Sequence, residues 1–152
     1  MLIIALGAHM LAAIVWVGGM FFAHLILRPA MTSMPDAERL ALRGRLLPRF
    51  FAWVWAAIIV LFITGYGVLY FGYEGLAGAG LHIRLMEGIG LIMMLLFGWM
   101  YFRPFKSFMR AFKEGDSSQA AAEFDRIRGV VLVNLVLGVI VSVLGATGNF
   151  WG

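Results

Sequence analysis

Residues 1–27 read MLIIALGAHMLAAIVWVGGMFFAHLIL and contain no aspartate, glutamate, lysine or arginine. A helix needs about 20 apolar residues to cross the roughly 30 Å hydrocarbon core of a bilayer, and this stretch exceeds that length. Three further apolar runs of comparable length lie at residues 50–73, 81–102 and 129–150. The sequence therefore predicts four membrane-spanning helices, at about residues 1–27, 50–73, 81–102 and 118–150.

The predicted fold class is an all-α, integral membrane four-helix bundle that forms a single transmembrane domain over residues 1–152. Helices are expected because the strands of an open sheet would leave backbone groups without hydrogen bonds in lipid. The first run lacks a basic start and is longer than the roughly 7–15 residues of a signal-peptide core, so we expect a retained helix. The chain has no cysteine, which excludes disulfides and thiolate metal ligands.

Basic residues are concentrated in two of the three predicted loops. Eleven of the 12 lysine and arginine residues lie between residues 28 and 49 or between residues 103 and 128. The positive-inside rule predicts that these two loops are cytoplasmic and that both termini and residues 74–80 lie outside. We expect a multi-pass protein of a bacterial-type inner membrane, where the lipid bilayer accounts for the basic charge and no nucleic-acid partner is needed.

The basic loops carry helix signals of their own. Ser33 is a candidate cap for a short helix with Pro35 in its first turn, and Pro48 is predicted to end that helix. In the other loop, phenylalanines recur at helical spacing among basic residues, which predicts that the third helix extends beyond the bilayer. Ser117 or Ser118 is predicted to begin the fourth helix.

Two of the three histidines lie in apolar segments near the same predicted face of the membrane. His9 lies a few turns into the first helix, and His82 lies at the start of the third. His24 is 15 residues from His9, about 22 Å along a helix, and is expected near the cytoplasmic face. Ionisable residues within a membrane usually face the bundle interior and mark functional sites. Two imidazoles on different helices at similar height can hold the iron of haem b from opposite sides.

The neighbours of these histidines predict a cofactor or metal site. Trp16 shares a helix face with His9, with small residues between them, and could pack against a flat ligand. On the third helix, Met86 shares the face of the histidine and could line the same site. Arg84 is close enough to Glu87 to form an ion pair, or could bind a carboxylate such as a porphyrin propionate.

The first two helices contain short motifs that resemble a known family. His9, Trp16 and the stretch Gly18-Gly19-Met20-Phe21 resemble the first helix of the CopD-like and HemJ-like four-helix membrane proteins. Arg49-Phe50 at the start of the second helix and Thr64-Gly65 near its end are also similar to that group.

The third helix adds a more specific resemblance. Leu81-His82-Ile83-Arg84-Leu85 resembles the Leu-His-Val-Lys-Leu stretch of HemJ-type protoporphyrinogen oxidases, with Arg84 where they have lysine. The resemblance implies a four-helix bundle, b-type haem and, for HemJ proteins, oxidation of protoporphyrinogen IX. It makes His9 and His82 the haem-ligand candidates and places Trp16 and Arg84 near the tetrapyrrole.

The chain also departs from the HemJ pattern. HemJ proteins have a further histidine late in the third helix, where this chain reads Phe97-Gly98-Trp99. Arginine and lysine are not interchangeable, so Arg84 weakens the oxidase assignment. The Trp-Val-Gly-Gly stretch is closer to CopD, which is associated with copper handling, although CopD proteins usually lack the third-helix histidine.

Two functional hypotheses of different classes remain open, besides an accessory subunit without a cofactor. The first is a b-type haem protein with a redox role, in electron transfer or tetrapyrrole oxidation, with a quinone or a tetrapyrrole as partner. The second is a copper transport or tolerance protein whose soft Cu(I) ligands are His9, Met10, Met20, His82 and Met86. Glycine-rich helix faces permit a homodimer but fit packing within one chain equally well.

Overall fold

A computed structural model describes residues 1–73 and 75–150. The chain folds into four long helices, each long and apolar enough to cross a membrane: α1 Leu2–Ala30, α2 Asp36–Gly72, α3 Leu81–Glu114 and α4 Ser117–Thr147. A 3₁₀ turn, Gly148–Phe150, follows α4. This architecture confirms the predicted all-α four-helix fold. The sidedness of termini and loops stays a prediction, and residue 74 of the predicted outer loop lies outside the described residues.

The second helix begins earlier than its apolar run. α2 starts at Asp36, and Pro35 precedes it without a side-chain capping hydrogen bond, so the predicted Ser33 cap is wrong. Pro48 lies inside α2, and the prediction that it ends a separate helix is also wrong. Proline removes one backbone hydrogen bond, but the buried side chains of Leu47 and Phe51 on either side of it hold the helix continuous.

The third and fourth helices follow their sequence signals more closely. α3 continues to Glu114, which confirms that it extends past residue 102. Gly115 ends it in the left-handed conformation, with φ of 76°. α4 begins at Ser117, as predicted, and its cap is the carboxylate of Asp116, which accepts a hydrogen bond of 2.9 Å from the backbone N–H of Gln119.

Two of the helices contain π-helical segments. α1 widens at Ile14–Gly18 and again at Phe22–Leu27, and α3 widens at Tyr101–Phe105. Pro104 lies inside the last of these segments, where its missing N–H cannot serve the normal α-helical hydrogen bond. Such bulges change the direction of side chains along a helix and are frequent at functional sites.

The bundle is closed by an aromatic cluster toward the end that carries the basic loops. α1 packs mainly on α2 and α3 mainly on α4, while α4 also contacts α1 and α2. Phe51 makes edge-to-face contacts with Phe97 and Phe105, at ring-centroid distances of 5.4 and 4.8 Å. Trp16 joins the same cluster through Phe97, at 6.1 Å. These rings fill the space between α1, α2 and α3.

Candidate functional site

A cavity of about 210 Å³ lies between all four helices, in the half of the bundle that carries the chain termini. It exists because α2 and the first half of α3 make almost no close backbone contact. Its lining is mostly apolar and includes a small set of side chains that can bind a metal ion or exchange protons: His9, Tyr66, Tyr73, Met86, Glu87, Met93 and Met94. Trp16 also lines this cavity and separates it from the rest of the aromatic cluster.

The imidazole of His9 is held in one orientation by α2. Its Nδ1 lies 2.9 Å from Oγ1 of Thr64. The hydroxyl of Thr64 donates its only proton to the carbonyl of Val60, at 2.6 Å, so the oxygen must accept from His9. In the neutral imidazole, Nδ1 therefore carries the ring proton and Nε2 keeps a lone pair. This is the tautomer and the orienting contact that a metal-binding histidine needs.

Three methionines bring thioether groups to the same cavity from α3. Met86, Met93 and Met94 all line it. A Cβ placed on Gly145 of α4 would lie 3.6 Å from Sδ of Met86. The absence of a side chain at Gly145 thus makes room for the Met86 thioether between α3 and α4.

The carboxylate of Glu87 faces α2 and not its neighbour on α3. The hydroxyl of Tyr66 donates to Oε1 of Glu87 at 3.0 Å and so bridges the two helices where they diverge. Arg84 instead donates to the carbonyls of Ala79, at 3.0 Å, and Ala77, at 3.2 Å. The predicted Arg84–Glu87 ion pair is wrong, because the guanidinium is used to hold the loop between α2 and α3.

His82 lies at a different place from the cavity. A Cβ on Gly80 would lie 3.1 Å from Cε1 of His82, and one on Gly148 would overlap the same imidazole. The ring is therefore enclosed between the start of α3 and the turn that follows α4. Neither His82 nor Arg84 belongs to the cavity lining, as far as the described residues define it.

His24 lies at the other end of the bundle, as its spacing from His9 requires. It lines a small cavity of about 60 Å³ that Arg28 and Arg43 also line. Of the five residues singled out in the sequence, the structure thus brings His9, Trp16 and Met86 together. The other two lie outside the cavity: Arg84 contacts the loop between α2 and α3, and His82 lies between the start of α3 and the turn after α4.

The arrangement suits a soft monovalent metal ion better than a hard divalent one. Within residues 1–73 and 75–150, no three histidine, cysteine or acidic side chains come close enough to share a metal ion. Imidazole nitrogen and thioether sulfur are ligands that Cu(I) accepts, whereas Mg²⁺ and Ca²⁺ require several oxygens. Among the residues that the structure describes, Glu87 is the acidic side chain that lines the cavity.

Two residues of the candidate site could not be recognised from the sequence: Thr64, the partner of His9, and Tyr66, the partner of Glu87. From the sequence, Thr64 belongs only to the Thr64-Gly65 motif, and Tyr66 is one of several aromatic residues near the end of the second apolar run. A weak signal was present, because Thr64-Gly65 lies at the same predicted depth as His9. No local spacing links residues 55 positions apart, so the hydrogen bond between them could not be foreseen.

Comparison with known proteins gives one family match. The model of the family described as copper resistance protein D matches residues 44–147. None of the curated proteins and none of the solved structures matches the chain. The matched residues include Thr64, Met86 and Glu87, whereas His9 lies before them. The resemblance to HemJ proteins has no support from these comparisons. Because the match covers more than half of the chain, this multi-pass membrane protein belongs to the copper resistance protein D family.

Proposed function

We propose that this protein handles copper by binding Cu(I), as cargo, in the cavity between its four helices. Nε2 of His9 and the thioether of Met86 are the proposed ligands, with Met93 or Met94 available as a second sulfur. The observation that carries the proposal is the His9–Thr64 hydrogen bond, which leaves an imidazole lone pair on a ring that lines a methionine-rich cavity.

The chemistry of the ligands favours Cu(I) over other metal ions. Thioethers bind soft cations, and neutral imidazole completes a mixed nitrogen and sulfur site without adding charge. A cysteine site would bind copper more tightly, but the chain has no cysteine. We expect moderate affinity, which is suited to an ion that must leave the site again.

The carboxylate of Glu87 compensates the charge of the ion. A cation in an apolar cavity is costly unless an opposite charge lies nearby. The hydrogen bond from Tyr66 keeps the carboxylate at the place where α2 and α3 diverge. Glu87 therefore acts through charge, and direct coordination is not required.

The copper hypothesis is better supported than the haem hypothesis. The family match points to copper. The cavity of about 210 Å³ is also smaller than the roughly 300–1,000 Å³ of pockets that enclose drug-sized ligands, and haem is at least of that size. His82, the second proposed axial ligand, does not line the cavity.

The cavity is proposed to exchange copper with the side of the membrane that carries the termini. Leu6 and Tyr73, which lie near that end of their helices, belong to its lining. Toward the basic loops, Trp16 and Phe97 are almost completely buried and block the way. With the predicted orientation, copper enters from outside the cytoplasm.

Titration of the purified protein with Cu(I), in competition with a chromophoric Cu(I) chelator, tests this proposal. Wild-type protein is expected to bind one Cu(I) per chain and to show no Soret band. His9→Ala should abolish that binding and Met86→Leu should weaken it. His24→Ala and Met10→Leu are matched controls, because His24 lies at the other end of the bundle and the side chain of Met10 is 61% exposed.

Two results would overturn the assignment. Wild-type Cu(I) affinity in His9→Ala would show that the imidazole is not a ligand. A Soret band that is present in wild-type protein and lost in both His9→Ala and His82→Ala would restore the haem hypothesis.

A further inference from the structure

A groove larger than either of these cavities lies at the end of the bundle that carries the basic loops, on the outer surface between α1 and α2. This groove has a volume of about 490 Å³. Apolar side chains of both helices form its walls, among them Phe22 and Leu27 from α1 and Phe50 from α2. Arg45 and Arg49 also line it, at the end nearest the loop between the two helices.

The two arginines form one charged edge with a tryptophan below it. Arg45, Arg49 and Trp53 follow one another at intervals of four residues, so they project from the same face of α2. Both arginines are exposed, and the indole of Trp53 is 67% exposed. This order of cationic heads and an amphipathic ring is typical of a membrane–water interface.

No acidic side chain neutralises this edge within the part of the chain that the structure describes. The ion pairs found there join Arg39 to Asp36, and two other arginines to the acidic residues three positions before them. Arg45 makes only a hydrogen bond of 3.3 Å from Nε to the carbonyl of Ala41, and its terminal nitrogens remain available. The groove therefore combines an apolar wall with two uncompensated positive charges.

We propose that this groove binds one anionic phospholipid, with the phosphate between the guanidinium groups of Arg45 and Arg49. Planar guanidinium groups bind phosphate through paired hydrogen bonds. A zwitterionic headgroup offers the same phosphate, but its cationic group is repelled by the two arginines. An acyl chain would lie along the apolar wall formed by Phe22 and Phe50. The close approach at Gly19, where a Cβ would lie 2.5 Å from Cε2 of Phe50, shapes the floor of the groove.

Native mass spectrometry of the detergent-solubilised protein tests the proposal with added phosphatidylglycerol or phosphatidylcholine. Wild-type protein should retain one phosphatidylglycerol per chain in preference to phosphatidylcholine. Each arginine near a bilayer surface contributes about fivefold to binding of anionic lipid, so Arg45→Gln combined with Arg49→Gln should weaken it about 25-fold.

The matched control removes two charges elsewhere on the same end of the molecule. Arg110 and Lys113 are exposed and do not line the groove, so Arg110→Gln combined with Lys113→Gln should leave lipid retention unchanged. Glycerol 1-phosphate has the phosphate of the lipid but no acyl chains, so it tests whether the groove binds a lipid or a free phosphate. If the groove binds a lipid, glycerol 1-phosphate should not displace phosphatidylglycerol. A shift in melting temperature on addition of phosphatidylglycerol, present in wild type and absent in the groove variant, gives a second measurement.

Three outcomes would overturn the proposal: equal retention of the two lipids, equal losses in the groove and control variants, or displacement by glycerol 1-phosphate. The groove lies outside the copper cavity, so the groove variant should keep wild-type Cu(I) affinity. Loss of lipid binding and loss of copper binding are thus measured independently.

Discussion

Nδ1 of His9 donates a hydrogen bond to Oγ1 of Thr64 across 2.9 Å, although 55 residues separate the two along the chain. This contact joins α1 to α2 inside an apolar cavity, and it decides which nitrogen of the ring can bind a metal ion. A hydroxyl that already donates to its own helix, as Thr64 donates to the carbonyl of Val60, can only accept from a neighbour. The threonine thereby acts as a positioning residue for the histidine.

Removal of the Thr64 hydroxyl should weaken Cu(I) binding without unfolding the protein. Thr64→Val keeps the volume of the side chain but removes the hydroxyl that lies 2.9 Å from Nδ1 of His9, so the ring is oriented less firmly. Loss of such an orienting partner typically lowers metal affinity by about 10–100-fold. Chelator competition measures the change, and Thr64→Ser, which keeps the hydroxyl, should stay close to wild type. Equal affinities for the valine and serine variants would contradict this role.

A methyl group at residue 65 should disturb the same imidazole. The Cβ of Gly65→Ala would lie 3.3 Å from Cε1 of His9, which is closer than a comfortable contact. The ring must adjust by a few tenths of an ångström, and we expect a severalfold loss of Cu(I) affinity. Gly67→Ala is the matched control, since its Cβ would have nothing within 4 Å. If both variants bind copper like the wild type, the imidazole does not depend on its position against α2.

The charge of Glu87 should matter more than its hydrogen bond. Glu87→Gln keeps an acceptor for Tyr66 but removes the negative charge from the cavity. If the charge lay about 10 Å from the ion, at an effective dielectric constant near 20, it would contribute ~1.7 kcal/mol, or somewhat more than tenfold in affinity. Tyr66→Phe keeps the charge and should bind Cu(I) nearly as tightly as wild type. If Tyr66→Phe weakens Cu(I) binding more than Glu87→Gln does in the same titration, the hydrogen bond matters more than the charge.

Stability of the bundle should depend on a close approach between α1 and α4 at Gly138. A Cβ there would lie 2.8 Å from Cγ2 of Val17 and 3.2 Å from Cε of Met93. Gly138→Ala overpacks this buried contact and should lower the free energy of unfolding by about 1–3 kcal/mol. Unfolding in mixed detergent micelles, followed by circular dichroism, measures the change.

The control for this prediction lies on the same helix. A Cβ on Gly129 would meet no atom within 4 Å, so Gly129→Ala should be neutral or slightly stabilising because alanine favours the helix. Equal destabilisation by both substitutions would indicate a general effect of α4 and not an overpacked contact with α1.

The position of His9 along its helix could be predicted from the sequence, whereas the direction of the Arg84 side chain could not. The depth of a residue in the membrane follows from its distance to the end of an apolar run, so the depth of His9 in the bundle was predictable. The direction of a long side chain near a loop is not set by the helix alone. Arg84 turns back to the carbonyls of Ala77 and Ala79, because unpaired loop carbonyls near it offer acceptors.

The sequence by itself determined the four helices, because uninterrupted apolar runs admit no other economical structure in lipid. It also determined that His9 and His24 lie toward opposite ends of the first helix, since 15 residues separate them along one apolar run. Only the tertiary structure decided that His9 meets Thr64, that Glu87 accepts from Tyr66, and that His82 lies outside the cavity. Those facts depend on the rotation and spacing of whole helices, which are set by side-chain packing between segments distant in the chain.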